Sequence, residues 1–320
     1  MTGGERALGR ALLASLAVRD APPELRALDP AGLPDGLDGV GTVVHLAPTR
    51  DPRAPEAERA RDLDAARALL DAAVPAGVRR VVLVTGTEVH RARPGQVPLP
   101  ERAPVAAPAD ASLVGGWVEL ERLADHARRT GLDVVVLRPA QLVGVEPDQT
   151  GGALRALAGP RLLAVRGVEP LWQLCHADDL VRALATAVDG GVRRSAAVAS
   201  EGWLRQEEVE RRSGRRRLEL PAAVAVSTAE RLHRLGVAPG GPGELDLLLA
   251  PVVVEPVRLR AAGWTPSWTS AAALDAHLAT LPPPGTADRT AAYAAGTAGA
   301  TAALVGTAAL VRRARRRRRR

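Results

Sequence analysis

The stretch "DLDAARALLDAAVPAGVRRVVLVTGTEVH", residues 62–90, joins a helical pattern to a short apolar run. In residues 62–74 the apolar side chains, Leu63 and Leu70 among them, recur at the spacing of one helix face. The run "RVVLVT" (80–85) is rich in Val and apolar almost throughout, which is typical of a strand buried on both faces. A helix that leads into a buried strand predicts one unit of a parallel sheet covered by helices.

The same kind of unit flanks this stretch on both sides. The runs "TVVHLA" (42–47) and "DVVVLRP" (133–139) are further candidates for buried strands. The segment "SLVGGWVELERLADHARR" (112–129) has helical period, although Gly115 and Gly116 lie in its first turns. The order strand, helix, strand, helix, strand predicts an α/β protein with a doubly wound parallel sheet.

The second half of the chain is more loosely patterned, with Gly and Pro between short elements. The segment "CHADDLVRALATAV" (175–188) predicts a strand end and a helix capped by Asp178 or Asp179. The segment "SAAALDAHLATL" (270–281), capped by Ser270, predicts the last helix of the body. This region is expected to be smaller and less regular than the first half.

The net charge of +7 is concentrated at one end of the chain. Residues 311–320, "VRRARRRRRR", hold eight Arg, and 7 − 8 leaves about −1 for the rest. Nucleic acid is therefore an unlikely partner of the body. One cysteine, Cys175, excludes an internal disulfide framework, and the six His have no zinc-like spacing, so no metal site is predicted.

The C-terminal segment differs in composition from the body. After a linker at 281–289, residues 290–311 are rich in Ala, Gly and Thr and carry no charge, and the Arg run follows. This length could cross a bilayer as a helix, but its apolar content is marginal. With no export signal visible, we expect a cytoplasmic body whose 290–320 segment associates with an anionic membrane surface; a disordered basic tail is the alternative.

Six segments resemble successive parts of the extended short-chain dehydrogenases/reductases, the NAD-dependent epimerase/dehydratase family. The resemblance implies a Rossmann-like dinucleotide-binding part at about 1–150, a smaller substrate part at about 151–280, and NAD or NADP as cofactor. The segments are "TGGERALGRALLASL" (2–16), "VVHLAP" (43–48), residues 62–90, "GLDVVVLRPAQLVG" (131–144), "QLCHADDLVRAL" (173–184) and "AAGWTP" (261–266).

The family's catalytic residues are missing at the matching positions. The family uses a Tyr-x-x-x-Lys pair at a helix start and a hydroxyl residue after the preceding strand, which exchange a proton while the nicotinamide exchanges a hydride. The resemblance places Leu113 at the Tyr position, Trp117 at the Lys position and Gly86 at the hydroxyl position. The chain has no Lys at all, and its only Tyr is Tyr293.

Three polar residues after the second strand are the candidates for a substitute acid/base set. Thr85, Thr87 and His90 follow the run at 80–85, where the carboxyl ends of parallel strands form the cleft. Histidine titrates near neutral pH, so His90 is the natural general base of such a set.

The cofactor loop is partly altered. The family's Thr-Gly-x-x-Gly-x-x-Gly loop brings backbone close to a pyrophosphate at a helix N-terminus. Here Gly3, Gly4 and Gly9 remain, and Arg6 replaces the middle Gly. In the family a first strand precedes this loop, and Met1 stands where the last residue of that strand would be. Two explanations are open: a start codon assigned too far downstream, or a trimmed gene.

The segment that would bind the adenosine of the cofactor is shorter than in the family. Between the first helix and residue 42 the chain offers one candidate strand, "ELRALD" (24–29), which ends on Asp29. The resemblance makes Asp29 either the acid that holds the adenosine ribose or the later Asp beside adenine. It also places Leu46, Ala47 and Pro139 at the cofactor.

Two main hypotheses follow. The first is an NAD(P)-binding or regulatory protein of this family that lacks the Tyr-x-x-x-Lys pair and its chemistry. The alternative is an active NAD(P)-dependent oxidoreductase or epimerase that uses Thr85, Thr87 and His90. The sequence identifies neither the small molecule nor the protein that would be its partner.

Overall fold

A computed structural model describes residues 1–20, 23–29, 35–46, 48–51, 54–90, 97–107, 110–146, 149–150, 154, 156–158, 161–221 and 252–281. The helices are Ala7–Ala17 (α1), Glu56–Ala73 (α2), Leu113–Arg129 (α3), Ala177–Val188 (α4), Gln206–Ser213 (α5), Val257–Ala261 (α6) and Ser270–Ala279 (α7). The strands are Thr42–His45 (β1), Arg80–Val84 (β2), Asp133–Pro139 (β3), Gln141–Val143 (β4), Arg161–Val165 (β5), Leu171–Trp172 (β6), Leu174–His176 (β7), Ser195–Val198 (β8), Leu204–Arg205 (β9) and Arg216–Leu220 (β10).

The main sheet has four parallel strands in the order β1-β2-β3-β8. Its three predicted strands are all present. The strand predicted at 133–139 has the observed bounds, whereas those predicted at 42–47 and 80–85 end at His45 and Val84.

Helices cover both faces of this sheet, as a doubly wound fold requires. Successive strand residues point to opposite faces, so Val82 and Val84 pack on the side of α1 and α4, while Val81 and Leu83 pack on the side of α2 and α3. Burial of these apolar side chains is the main contribution to the stability of the body. The predicted α/β, Rossmann-like fold class is confirmed.

The chain start lies beside β1. Thr2 N donates to Val44 O at 3.0 Å, and Leu46 N donates to Thr2 O at 3.2 Å, which makes a parallel bridge between Thr2 and His45. Among the described residues no strand precedes β1. Met1, which precedes Thr2, therefore lies beside β1, where the last residue of the family's first strand is expected.

The strand predicted at 24–29 is absent, since residues 23–29 form no strand. These residues nevertheless run alongside Met1: the Met1 amino group donates to Arg26 O at 2.5 Å, and Leu28 N donates to Met1 O at 2.7 Å. The prediction is wrong because the segment can pair with a single residue only, which is too short for a strand.

Helix α2 begins six residues earlier than the prediction of 62–74. Its first turns are polar and exposed, so they carry no apolar period that would reveal a helix. Pro55 precedes the helix, and Glu56 and Glu58 lie in the first turn, where their negative charges interact favourably with the helix dipole. Helix α3 agrees with the prediction at 112–129 and is capped by Ser112, whose Oγ accepts from Gly115 N at 3.1 Å.

The predicted cap of α4 at Asp178 or Asp179 is wrong. His176 is the N-cap, and its Nδ1 accepts from Asp178 N at 3.3 Å. Asp179 is instead fully buried, and its Oδ1 accepts from Ser267 N at 2.9 Å and from Arg182 Nη2 at 2.5 Å. The Asp179 carboxylate is turned inward because the segment around 267 supplies donors that the helix start does not.

The last helix, α7, is capped by Thr269 rather than by Ser270 as predicted. Thr269 Oγ1 accepts from Ala272 N at 3.1 Å. Ser270 is buried, and its Oγ donates to Gly202 O at 2.8 Å, so its hydroxyl joins two loops instead of capping the helix.

The smaller second half packs its own core beside the main sheet. Three two-stranded sheets lie here, β10-β5, β4-β7 and β6-β9. Their apolar residues form one cluster with α7: Val143, Leu154, Leu157, Leu162, Trp172, Leu174, Leu204, Val209, Ala273 and Leu274. The predicted boundary near residue 150 stays a prediction.

The predicted linker lies outside the described residues except for Leu281, and the predicted membrane segment at 290–320 lies wholly outside them. Within the part of the chain that the structure describes, no helix combines the length and the apolar character that a bilayer span needs.

Candidate functional site

The loop before α1 keeps the tight backbone of a dinucleotide loop. Gly3 has a φ of 71°, which strongly favours glycine. A Cβ on Gly9 would lie 2.8 Å from Gly4 Cα and closer still to Gly3 O. Gly9 is therefore required for the close packing of the loop against the first turn of α1, and the cofactor-binding roles of Gly3, Gly4 and Gly9 stay predictions.

The N-terminus of α1 already holds a negative charge from the protein itself. Ala7 N lies in the first turn of α1 and has no acceptor within the helix. It donates to Glu146 Oε1 at 2.6 Å. Arg10 Nη2 lies 4.0 Å from the same oxygen. Helix N-termini attract anions through their unpaired N–H groups and the helix dipole. Glu146 thus occupies the position in which the family loop would hold a pyrophosphate.

A small cavity of about 30 Å³ lies beside this carboxylate. It is lined by Arg6, His45 and Trp117, among others. Arg6 Nη1 and His45 Nε2 are buried without a hydrogen-bond partner among the described residues, and His45 is 1% exposed. Burial, and to a smaller degree the positive chain terminus, lowers the pKa of His45 to about 4, so its ring is neutral at pH 7.

Trp117 fills the catalytic end of the cleft. Its ring is buried and packs against Gly86, where a Cβ would lie 3.0 Å from Trp117 Cε3 and closer to Cζ3. Leu113 is buried in the same small apolar cluster. The residues at the three predicted catalytic positions therefore contact one another as a packed group, in which Gly86 leaves room for the indole.

Arg50 covers the other side of this indole. Its guanidinium carbon lies 4.6 Å from the Trp117 ring centre, a cation–π geometry, and its Nη1 donates to Thr85 O at 2.5 Å. Burial lowers the pKa of Arg50 and raises that of nearby Glu88, whose Oε2 has no hydrogen-bond partner among the described residues. Nothing in the sequence pattern indicated Arg50, because it lies in a loop without a motif.

The three predicted substitute residues are buried, and two of them belong to one network. Thr85 Oγ1 donates to Glu121 Oε1 at 3.0 Å, and Arg138 Nη2 donates to Glu121 Oε2 at 2.5 Å. Arg138 Nη1 donates to His90 Nε2 at 3.2 Å. Thr87 is buried nearby, at 3% exposed.

Both ring nitrogens of His90 are engaged. Because Nε2 accepts from Arg138, the proton lies on Nδ1, which donates to Pro104 O at 3.0 Å. Burial is the main cause that lowers the pKa of His90, and the charge of Arg138 lowers it further. His90 is therefore a neutral histidine that joins a strand end to a loop, with no free nitrogen toward the cleft.

The remaining predicted cofactor residues are spread around the same cleft. Asp29 is exposed and follows the segment that pairs with Met1, at the end where a ribose-binding acid is expected. Leu46 lines the cavity, and Pro139 is buried at the end of β3. Ala47 lies outside the described residues. Among those described, no group of His, Cys, Asp and Glu could hold a metal ion.

The turn at Gly3 and Gly9 and the α1 N-terminus suit the diphosphate of a dinucleotide. Trp117 lines the same cavity from the side of α3. The cavity of about 30 Å³ compares with several hundred Å³ for pockets that enclose ligands of this size.

Comparisons with known proteins agree with this architecture. Residues 13–160 match a protein-family model described as NAD(P)H-binding. Two uncharacterized proteins, from Mycobacterium bovis and Mycobacterium tuberculosis, are each 29% identical over 207 residues, which is 62% of this chain. The chain spans about half the length of these relatives, 53%.

Several solved structures share the fold. A dTDP-glucose 4,6-dehydratase from Streptomyces venezuelae, with NAD and TYD bound, has a TM-score of 0.61 at 21% identity and covers 87% of this chain and 94% of its own. The RMD protein from Pseudomonas aeruginosa, complexed with NADPH, has a TM-score of 0.60 at 18% identity, with coverage of 87% and 96%. A Thermus thermophilus UDP-glucose 4-epimerase with NAD has 0.61 at 17%, with coverage of 87% and 98%.

The resemblance inferred from the sequence motifs is confirmed by these matches, and so is the cofactor class. Residues 13–160 are thus similar to an NAD(P)H-binding domain, within a chain that has the Rossmann-like fold of these dehydratase and epimerase structures.

Proposed function

We propose that this chain binds NAD or NADP through the adenosine diphosphate half, performs no hydride transfer, and acts as a binding or regulatory module. The observation that carries the proposal is the buried Trp117 indole, which packs on Gly86 and lies under Arg50 at the catalytic end of the cleft. A nicotinamide ring and this indole compete for the same space.

The lack of a proton partner supports the proposal independently. When bound, a nicotinamide supplies a hydride donor or acceptor, and the substrate oxygen must exchange a proton in the same reaction. Leu113 and Trp117 offer no acid or base at the positions of the family's pair. Since the sequence contains no Lys, no other position can supply the family's cation.

Two of the three substitute residues, Thr85 and His90, already bind other groups of the protein. The Thr85 hydroxyl donates to Glu121, and the two His90 nitrogens are bonded to Arg138 and Pro104. Glu121 and Arg138 are themselves buried, with side chains 7% and 9% exposed. Removing one of these partners would leave a buried charge unpaired, so the network favours a structural role over proton transfer.

A turnover assay tests the proposal. Purified protein with NAD⁺, NADP⁺ or the reduced forms is offered nucleoside-diphosphate sugars and simple carbonyl or alcohol substrates. Absorbance at the reduced nicotinamide band is followed, and the products are analysed as well, because an epimerase returns its hydride and leaves the absorbance unchanged. We expect binding without any change in cofactor oxidation state. Turnover that is lost in His90→Gln or Thr87→Val would overturn the proposal in favour of the alternative enzyme.

A further inference from the structure

Glu146 is the one residue from the second half of the cleft that reaches the start of α1. It follows β4, which is paired with β7 through Val143 and His176. Its Oε1 accepts from Ala7 N, while its Oε2 is buried without a hydrogen-bond partner among the described residues. The Glu146 carboxylate uses only one of its two oxygens as an acceptor here. A diphosphate would offer more acceptor oxygens to the same donors.

Two more buried side-chain nitrogens face the same place. Arg6 Nη1 and His45 Nε2 are buried beside the cavity, and neither has a hydrogen-bond partner among the described residues. A buried polar group without a partner costs free energy, and a ligand that supplies acceptors recovers it. An unpaired guanidinium nitrogen and a helix N-terminus together favour an anion with several oxygens.

We infer that Glu146 is a built-in competitor for the diphosphate of the bound dinucleotide: its carboxylate holds the α1 N-terminus until the ligand displaces it. The inference rests on the proposed binding of NAD(P) through its adenosine diphosphate half. A diphosphate carries more negative charge and more oxygens than one carboxylate, so it can contact Ala7 N and Arg6 together.

Displacement of the Glu146 side chain by a ligand would also affect the second half of the chain. Glu146 O accepts from Gln149 N at 2.8 Å, so the side chain that caps α1 belongs to a tight turn. On its other side Gly144 has a φ of 76°, and a Cβ there would lie 2.7 Å from His176 Nε2. Residues 144–146 therefore connect the occupancy of the α1 N-terminus to the start of α4.

The test compares Glu146→Gln with the unaltered protein, using ADP as the diphosphate probe and adenosine as the probe without phosphate. Glutamine keeps an oxygen that can accept from Ala7 N but removes the competing charge. We expect ADP and NADH to bind about tenfold more tightly to the variant, in line with charge effects at helix N-termini, and adenosine to bind equally to both proteins. Calorimetric titration measures all three affinities.

Glu5→Gln is the matched control, because Glu5 lies in the same loop, is exposed and gives the same change in net charge. Its affinity for ADP is expected to stay within about twofold, as for distant exposed charges. Glu146→Asp, which keeps the charge on a shorter chain, is a second variant should Glu146→Gln fail to fold, and it should gain affinity for ADP by a smaller factor.

The outcomes separate this inference from the proposed function. Equal ADP affinity in Glu146→Gln and the unaltered protein, or an equal gain in Glu5→Gln, overturns the role of Glu146 and leaves the proposed function standing. Hydride transfer by either protein overturns the proposed function alone. Failure of both proteins to bind ADP or NADH at millimolar concentration overturns both.

Discussion

At the scale of single residues, Trp117 and Gly86 depend on each other. The indole occupies much of the space that a side chain at Gly86 would need, and the Glu88 carboxylate occupies the rest. Gly115 and Gly116, at the start of α3, differ in the space that is available for a side chain. A Cβ on Gly115 would overlap the backbone of Asp110, whereas a Cβ on Gly116 would meet nothing within 4 Å.

Replacement of Gly86 by Ala should therefore cost more while Trp117 is present. We expect Gly86→Ala to lower the free energy of unfolding by about 2 kcal/mol, which is typical of overpacking in a buried site. In a Trp117→Leu background the same change should cost about 1 kcal/mol less, because the ring is gone and only the end of the Glu88 side chain, whose Oε2 lies closest to that Cβ position, must move. Urea unfolding of the four proteins of this double-mutant cycle gives the coupling.

Gly116→Ala is the control for this cycle. It adds the same methyl group to an open position inside a helix, where alanine is favoured over glycine, and should stabilise the protein by up to about 1 kcal/mol. Equal costs of Gly86→Ala in both backgrounds would show that Trp117 does not occupy the space beside Gly86.

The sequence predicted part of the site at this scale. The positions of Leu113, Trp117 and Gly86 followed from the spacing of motifs, because those motifs lie on regular elements. Arg50 and Glu146 could not be predicted, since each lies in a loop and reaches the site through a contact that no local spacing encodes. Their burial and their partners become visible only in three dimensions.

At the scale of elements, Asp179 joins α4 to the segment before α7. Its buried carboxylate accepts from Ser267 N, Ser267 Oγ and Trp268 N, and it pairs with Arg182. Trp264 Nε1 also donates to Asp179 O at 3.2 Å. One acidic residue thus fixes the segment 264–268 against the first turn of α4.

Asp179→Asn should weaken this connection. The amide has one oxygen acceptor instead of two, and its NH₂ group would face donors, so we expect the free energy of unfolding to fall by about 2 kcal/mol. Asp178→Asn is the matched control: its side chain is 65% exposed, and the change should cost less than about 0.5 kcal/mol. Similar losses in the two variants, measured by urea unfolding, would contradict the role assigned to Asp179.

Elements with strong apolar period were predictable, and those without it were not. The strand at 133–139 and the helix from 112 to 129 were predicted at nearly their observed bounds because each has a continuous or periodic apolar face. The start of α2 was missed, because its first turns are polar and exposed. Both wrong caps arose because an inward-facing polar residue, Asp179 or Ser270, looks in the sequence like a capping residue.

At the scale of the whole molecule, the cleft has two unlike halves. The α1 half has the glycine turn, the free N–H groups and unpaired buried donors that favour a diphosphate, with Glu146 in place. The half toward α3 is closed by Trp117, Arg50 and Gly86. The molecule as a whole therefore has a Rossmann-like fold, and the proposed function is that its site holds only the adenosine diphosphate part of the dinucleotide.

The affinity of the unaltered protein for ADP-ribose, compared with that for NAD⁺, tests this claim most directly. ADP-ribose contains the whole adenosine diphosphate half and lacks the nicotinamide ring. We expect calorimetric titration at one pH and ionic strength to give dissociation constants within about threefold of each other, which is less than about 0.7 kcal/mol. NAD⁺ that binds tenfold or more tightly than ADP-ribose would show that the protein holds the nicotinamide, and would contradict the account.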